Sequence, residues 1–466
     1  MTDRETLVLT GRDHRVLKTH LICGDGKEAA AILLCKPTSG PRRRLLVNDV
    51  MLVPHDACPV RTPVRIVWPG EYIEAAIDQA ERYGLLVILI HSHPGGWLEF
   101  SEVDDASDLV TMPALLAAVG NQHGSAIMTP DGAIRARLYD NEMATKPVDL
   151  VTVAGDDIHY WWNSSISDAE LAPWPLPFTS GMRDQLQRLS FAVIGVSGTG
   201  SLTAEQLARM GANVTLVDFD HVEHKNLNRI INSTLADADA NRLKVEVFAE
   251  AVDAYRGPGA ALAITATITS REAVLAVSQC DVIFSCVDTH EARQVADLIA
   301  SSFLIPLFDV GVVIPTRKAR EAGVAIGDVC GRIDYIQPGG STLADRGVFT
   351  PESLRAEWLR KANPKAAEEE QEAGYIRGLS EQAPSVISLN MRASSAVVME
   401  YIARAFPFRH DPNGDFARTK FSLAAAEEEY MAEGDFPQDA DTELGRGEEE
   451  PLLGIPALGK PKGKGQ

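Results

Sequence analysis

The feature that most restricts how this chain folds lies between residues 191 and 217. There a strand-sized apolar run (191–194) leads into the turn Gly195-Val196-Ser197-Gly198-Thr199-Gly200, then a segment of helical spacing (202–210) and a second apolar run (214–217). Strand, glycine turn, helix, strand is the opening of a βαβ unit, and it commits this region to an α/β, Rossmann-like, doubly wound sheet. Gly195, Gly198 and Gly200 let backbone approach phosphate oxygens, and the helix N-terminus behind them supplies N–H donors and partial positive charge. Asp218 ends the second run, where an acid takes ribose hydroxyls. This much would suit a dinucleotide enzyme, except that Ser197 replaces the middle glycine of G-x-G-x-x-G.

The residues that follow decide against a dehydrogenase. Asp218-Phe219-Asp220 is followed by Asn226-Leu227-Asn228-Arg229, by Lys244 and by Cys286-Val287-Asp288. Asn226 to Arg229 alone reads as a capped loop, and Asp288 alone as a strand-end cap. Together they put a second strand-end acid and two bases near one turn, which a dehydrogenase does not need. An enzyme that adenylates a carboxylate does need them. A triphosphate carries about four negative charges and calls for magnesium and basic clamps, and charge developing at the α-phosphorus must be stabilised.

From about residue 175 to 405 the pattern resembles the ThiF/MoeB and ubiquitin-activating-enzyme superfamily. The resemblance implies that Asp218 holds ribose, that Asp220 and Asp288 serve Mg2+, and that Asn226, Arg229 and Lys244 contact the phosphates of ATP. Two departures stand out. Members commonly bring an arginine from a partner subunit in the segment before the first strand, and the nearest here is Arg183. Members that proceed to a thioester carry a crossover-loop cysteine, whereas this chain reads Gly331-Arg332-Ile333-Asp334-Tyr335-Ile336-Gln337-Pro338-Gly339-Gly340-Ser341-Thr342. Cys330 lies ahead of that position. The reaction then stops at the acyl-adenylate, or a hydroxyl such as Ser341 accepts the acyl group, which requires a base to activate it.

A second constellation lies near the N-terminus. The apolar run 85–90 ends in His91-Ser92-His93-Pro94, and Ser101-Glu102-Val103-Asp104 follows six residues later. Residues two apart on a strand face the same side, so His91 and His93 can converge on one ion. Asp104 sits in the first turn of a helical pattern. Two histidines and a carboxylate with a fourth position left to water make an open zinc site. Glu28, ahead of the buried run 29–34, is the general base, with Glu71 and Glu74 as upstream rivals on a helical segment. Ser101-x-x-Asp104 by itself reads as a helix cap. The pattern E…H-x-H-P-x(6)-S-x-x-D resembles the JAMM/MPN deubiquitinases and their prokaryotic JAB relatives over residues 5–145. That resemblance implies an α+β domain in which His91, His93 and Asp104 hold Zn2+, Glu28 moves protons and Ser101 stabilises an oxyanion. The implied substrate is the peptide or isopeptide bond after a ubiquitin-like C-terminus.

These readings divide the 466 residues into a JAB domain (1–150), a Trp- and Pro-rich linker (151–180), an adenylation domain (181–410) and an acidic, disordered tail (411–466). The net charge of −21 includes eleven acids against the single base Arg446 between residues 427 and 450. This balance argues against a nucleic-acid partner, since no wide basic face can neutralise phosphates. No apolar run approaches the ~20 residues of a membrane span. The six cysteines form no CxxC pair, and with no secretory signal visible the expected compartment is the cytoplasm. The expected function is activation of a ubiquitin-like, β-grasp protein together with processing of the same modifier, by a homodimer working with a conjugating enzyme. Two other readings are activation and trimming of a sulfur-carrier protein, and a docking protein with one inactive site.

Overall fold

A computed structural model describes residues 3–120, 122–164, 179–318, 324–367 and 385–460. The chain divides into two compact units. The first spans Met1–Ile166 and takes in Ser302–Leu304 and Glu443–Glu449; the second holds the remainder.

Among the described residues, the first unit is built on a nine-stranded mixed sheet. Its order is Ile158–Trp162, Leu150–Ala154, Arg4–Thr10, Arg42–Leu52, Ala30–Pro37, Leu86–Ser92, Gln122–Met128, Ile134–Asp140 and Thr145–Pro147. The central strands are continuous apolar runs because both faces are covered. Ile88 and Ile90 pack with Leu33, Leu17 and Leu21 on one side. Val87 and Leu89 pack with Ile32, Leu34, Ala80 and Leu115 on the other. Helix Gly11–Leu21 covers the first face, and helices Glu71–Tyr83 and Glu102–Val119 the second. Pro113 lies inside an unbroken helix. The linker expected from residue 151 is corrected here. Leu150–Ala154 and Ile158–Trp162 are paired strands of this sheet, and Tyr160 is buried. Their aromatic composition fits a pleated, half-buried surface better than a loop. The rest of that expected linker, 165–178, lies outside the described residues.

The second unit carries an eight-stranded sheet among the described residues. Its order is Ala261–Ile264, Asn213–Val217, Ser190–Ile194, Val282–Ser285, Leu307–Val313, Cys330–Ile336, Arg418–Ser422 and Glu427–Met431. The first five strands are parallel and the last three add antiparallel. Helix Ile387–Ala405 packs on one face through Tyr401, which meets Phe191 edge-on at 5.0 Å and joins Phe284 and Phe308. Such pairs add about 0.5–1.5 kcal/mol each beyond burial.

The acidic tail is not disordered over its described length. Residues 418–431 form the last two strands of the second sheet. Glu448 and Glu449 accept hydrogen bonds from Ser39 and Lys36 in the first unit, where Leu444 packs against Val8 and Leu46. Apolar periodicity is weak there because backbone pairing and ion pairs hold the segment in place of a hydrophobic face. No helix among the described residues is long and apolar enough to cross a membrane.

Candidate functional sites

The first site grows from the end of strand Leu86–Ser92. Ser92, between the two histidines, points the other way and is fully buried; its Oγ accepts the Ala29 N–H at 2.9 Å. That bond and the Ala30–His91 register bring the segment carrying Glu28 alongside the histidines. Glu28 is itself 6% exposed. Its backbone is held by hairpin Val60–Thr62/Arg65–Val67: the Glu28 N–H donates to Thr62 O at 2.9 Å, and Arg61 Nε donates to Glu28 O at 2.9 Å.

The two histidine Nε2 atoms lie 3.1 Å apart, and Asp104 completes the cluster with Oδ1 at 3.0 Å from His91 Nε2 and Oδ2 at 3.4 Å from His93 Nε2. One ligand atom from each of the three lies within 4.8 Å of the others. His93 Nδ1 is 2.8 Å from the carbonyl of Trp97, which can only accept. The ring therefore carries a proton on Nδ1, which leaves Nε2 as the nitrogen that would turn a lone pair to a metal. The donor set fits zinc. Burial would raise the Asp104 carboxyl, but hydrogen bonds from His91 and His93 outweigh it and hold it far below the usual range. At Glu28 burial wins, and its carboxyl is raised despite the nearby imidazoles. Ser101 is the N-cap of the helix, and its Oγ donates to Asp104 Oδ2 at 2.8 Å, so its hydroxyl proton is committed to positioning the ligand. Glu71 and Glu74 occupy the first turn of a separate helix.

Sequence reasoning missed the support beneath this cluster. Asp108, one turn beyond Asp104, receives Ser125 Oγ at 2.5 Å, Tyr139 OH at 2.8 Å and Arg137 Nη2 at 2.7 Å, which pins the helix that presents Asp104. Its spacing of four from Asp104 was the signal available.

The second site is a cleft of about 1570 Å3 in the second unit, at the C-terminal ends of the parallel strands, where such sheets bind ligands. Gly195, Gly198, Asp218, Asp220, Asn226, Arg229, Lys244 and Asp288 all line it. Gly200 is needed for a different reason. A Cβ there would stand 1.7 Å from the Gly195 carbonyl oxygen, so only glycine lets the turn close on the helix. Asp218 is buried, which raises its carboxyl against the pull of Lys244, and it accepts the N–H groups of Val196 at 2.8 Å and Asp220 at 2.9 Å. Each oxygen keeps a further lone pair for a ribose hydroxyl.

Not every expected ligand is free. Asp220 is ion-paired to Lys244 at 2.7 Å. Asn226 caps the turn before Arg229, its Oδ1 accepting the Glu223 N–H at 3.0 Å. Arg229 donates to Lys225 O and Asn228 Oδ1 and faces no carboxylate among the described residues. Ser341 is corrected. It is fully buried, with Arg346 Nε donating to its Oγ at 2.8 Å, and so cannot reach an acyl-adenylate. Burial and Asp328 push the Cys330 thiol up to about 11. Helix Ile387–Ala405 contributes Asn390, whose Oδ1 accepts from Thr199 Oγ1 at 3.3 Å at the glycine turn. No local motif announced that contact.

A model of the ThiF family matches residues 170–376, and one of prokaryotic homologs of the JAB domain matches residues 13–136. Ubiquitin-like modifier-activating enzyme 5 of Culex quinquefasciatus is 30% identical over 170 residues, covering 34% of this chain and 39% of that protein. The same-named protein of Aedes aegypti is 26% identical over 211 residues, covering 42% and 49%. The chain thus spans less than half the length of these relatives. The E. coli MccB structure with ATP aligns at 14% identity with a TM-score of 0.39, covering 53% of this chain and 65% of that one. ThiF-type adenylyltransferases bind ATP with Mg2+, and JAB domains typically bind zinc and act as peptidases. With the histidine–aspartate cluster in one unit and the glycine-turn cleft in the other, the chain joins a domain of the prokaryotic JAB homologs to a domain of the ThiF family.

Proposed function

We propose that this chain adenylates the C-terminus of a β-grasp, ubiquitin-like protein in the cleft of the second unit, and hydrolyses the peptide or isopeptide bond following such a C-terminus at the histidine–aspartate cluster of the first. The observation that carries the reading is the convergence of His91, His93 and Asp104 beside buried Glu28, on the same chain as a glycine-turn cleft lined by Asp218, Arg229, Lys244 and Asp288.

In the first unit, His91, His93 and Asp104 would hold zinc, which when bound supplies a Lewis acid that acidifies water and polarises a carbonyl. Glu28 would take a proton at its carboxylate and return it to the leaving amine, a role its raised pKa suits. The Ser101 hydroxyl would turn from Asp104 to donate to a developing oxyanion, while the Ser101 N–H, which donates to Asp104 Oδ2 at 2.6 Å, keeps that carboxylate oriented.

In the second unit, Asp218 would accept ribose hydroxyls, and Asn226 and Arg229 would meet the phosphates beside the helix N-terminus. Lys244 has three N–H donors, so it can hold Asp220 and a phosphate oxygen at once. Asp220 and Asp288 would serve Mg2+. The modifier's carboxylate oxygen attacks the α-phosphorus and pyrophosphate leaves. The reaction in this chain stops at the acyl-adenylate, and a separate conjugating enzyme would take the acyl group; pairing of two copies through the adenylation domain belongs to the same reading. The test is pyrophosphate exchange into ATP with a purified modifier ending in glycine, alongside zinc analysis of the chain. Exchange abolished by Asp288→Ala supports the reading; no exchange with an intact cleft sinks it.

A further inference from the structure

A carboxylate that attacks a triphosphate must approach a strongly anionic group, and a cation has to draw it in. The cations lining the cleft differ in how they are matched. Lys244 pairs with Asp220 and Lys361 with Glu291, one charge to one charge. Arg229 sits at the glycine turn, its Cδ 3.2 Å from where a Cβ on Gly198 would be, and is placed for phosphates.

Arg332 is held differently. It stands on strand Cys330–Ile336 directly opposite Gly311, and a Cβ on Gly311 would come within 3.2 Å of its guanidinium. A missing side chain at 311 thus lets the Arg332 head lie across strand Leu307–Val313. There it donates to Asp309 at 2.5 Å and pairs with Asp334 at 2.7 Å, both carboxylates fully buried. The same two aspartates also serve Arg293, Arg346 and Arg418, and Arg346 further pairs with Glu433. Among the described residues four guanidiniums share three carboxylates, so this group carries an excess positive charge in a region shielded from water. An unmatched charge in such a place is costly until an anion joins it. Arg332 lines the cleft with its side chain 19% exposed, and an arginine has five N–H donors, more than its two carboxylates use. Strand Leu307–Val313, over which its head lies, neighbours strand Val282–Ser285, whose continuation carries Asp288.

The geometry points to Arg332 as the group that receives the terminal carboxylate of the modifier and sets it against the α-phosphate. This rests on the adenylation reading above. An oxyanion of the nucleotide's own triphosphate has the same chemistry, and the test separates the two.

The probe is a fluorescein-labelled ten-residue peptide ending Gly-Gly, made as the free acid and as the C-terminal amide. Binding to the full chain is read by anisotropy with a non-hydrolysable ATP analogue and Mg2+, and ATP affinity is measured separately. The wild-type chain prefers the acid by about tenfold. Arg332→Gln reduces the preference below about twofold with ATP affinity unchanged. Arg332→Lys, which keeps the charge for Asp309 and Asp334, leaves it intermediate and guards against a folding defect, and the melting temperature of each variant is recorded. Three results overturn the assignment: equal or unmeasurable binding of acid and amide by the wild-type chain, an undiminished preference in both variants, or a loss confined to ATP affinity, which would make Arg332 a phosphate contact. Absent pyrophosphate exchange with the acid preference intact would instead sink the adenylation reading and leave the carboxylate site standing.

Discussion

Gly200→Ala is the sharpest perturbation of the adenylation cleft, because the structure sets both its size and its control. The added methyl would lie 1.7 Å from the Gly195 carbonyl oxygen, 2.9 Å from its carbonyl carbon and 3.3 Å from Cys286 Cβ. The nearest atoms are backbone of the same tight turn, which cannot rotate away, so the turn must open by more than 1 Å, an estimate from normal contact distances of about 3.5 Å. Overpacking costs about 1–3 kcal/mol and occasionally more, and a clash with backbone belongs at the upper end. Alanine returns about 1 kcal/mol of helix propensity, which leaves a net loss of about 2 kcal/mol. For a domain of this size that lowers the melting temperature by roughly 4–8 °C, and nucleotide affinity should fall more than about tenfold as the N–H cradle is distorted. Gly198→Ala is the control. Its Cβ would meet Asn390 Nδ2 at 2.1 Å, but that is a side-chain end able to swing aside at the expense of its hydrogen bonds to Ser385 and Thr199. The propensity gain offsets much of that, and the net change should stay within about 1 kcal/mol. The assays are thermal unfolding and calorimetric ATP binding on the full chain. Wild-type stability and ATP affinity in Gly200→Ala, or equal damage from the two alanines, would refute the close-approach argument.

Asp104→Ala should remove bound zinc and peptidase activity together, whereas Glu28→Gln should abolish activity with zinc retained; metal analysis paired with cleavage of a modifier fusion reads both. Ser341→Ala should leave pyrophosphate exchange unchanged and lower stability by about 1–2 kcal/mol through the orphaned Arg346 donor, measured by denaturant unfolding. Asp297, buried in helix His290–Phe303 and accepting the Leu343 N–H, has its carboxyl pushed up by burial to about 7. Its folded state favours the protonated form, so its contribution is fully present below about pH 4 and lost as pH rises to about 7 and beyond, a loss of up to about 4 kcal/mol. Asp297→Asn should therefore gain on the wild type in melting temperature across that window, and parallel stability profiles would show that the carboxyl does not titrate there.

Much of both sites was legible as spacing. Two histidines separated by one residue at the end of an apolar run can only face one side of a strand. A serine three residues before an aspartate caps a helix and so places that aspartate in its first turn. Glycines between a strand and a helix mark a close approach of backbone. These are local rules, and the structure follows them at His91, His93, Asp104 and Gly195. The two domain families could be named from such motifs because each motif's chemistry is carried by neighbours in sequence.

Pairings between distant residues depend on which strands become neighbours, and no local period records that. The antiparallel register from Leu307 to Ser422 sets Gly311 opposite Arg332 and Asp309 opposite Asp334, and Arg293 from a helix and Arg346 from a loop then join the same aspartates, with Ser341 sealed beneath Arg346. Likewise residues 418–431 looked unstructured as an isolated string, because an added antiparallel strand is stabilised by its partner's backbone hydrogen bonds and by ion pairs more than by its own apolar pattern. Sequence determined which side chains could do chemistry here; tertiary pairing decided which of them can still do it, because a charged group is available only where the partners folding gives it leave charge or hydrogen-bond donors unused.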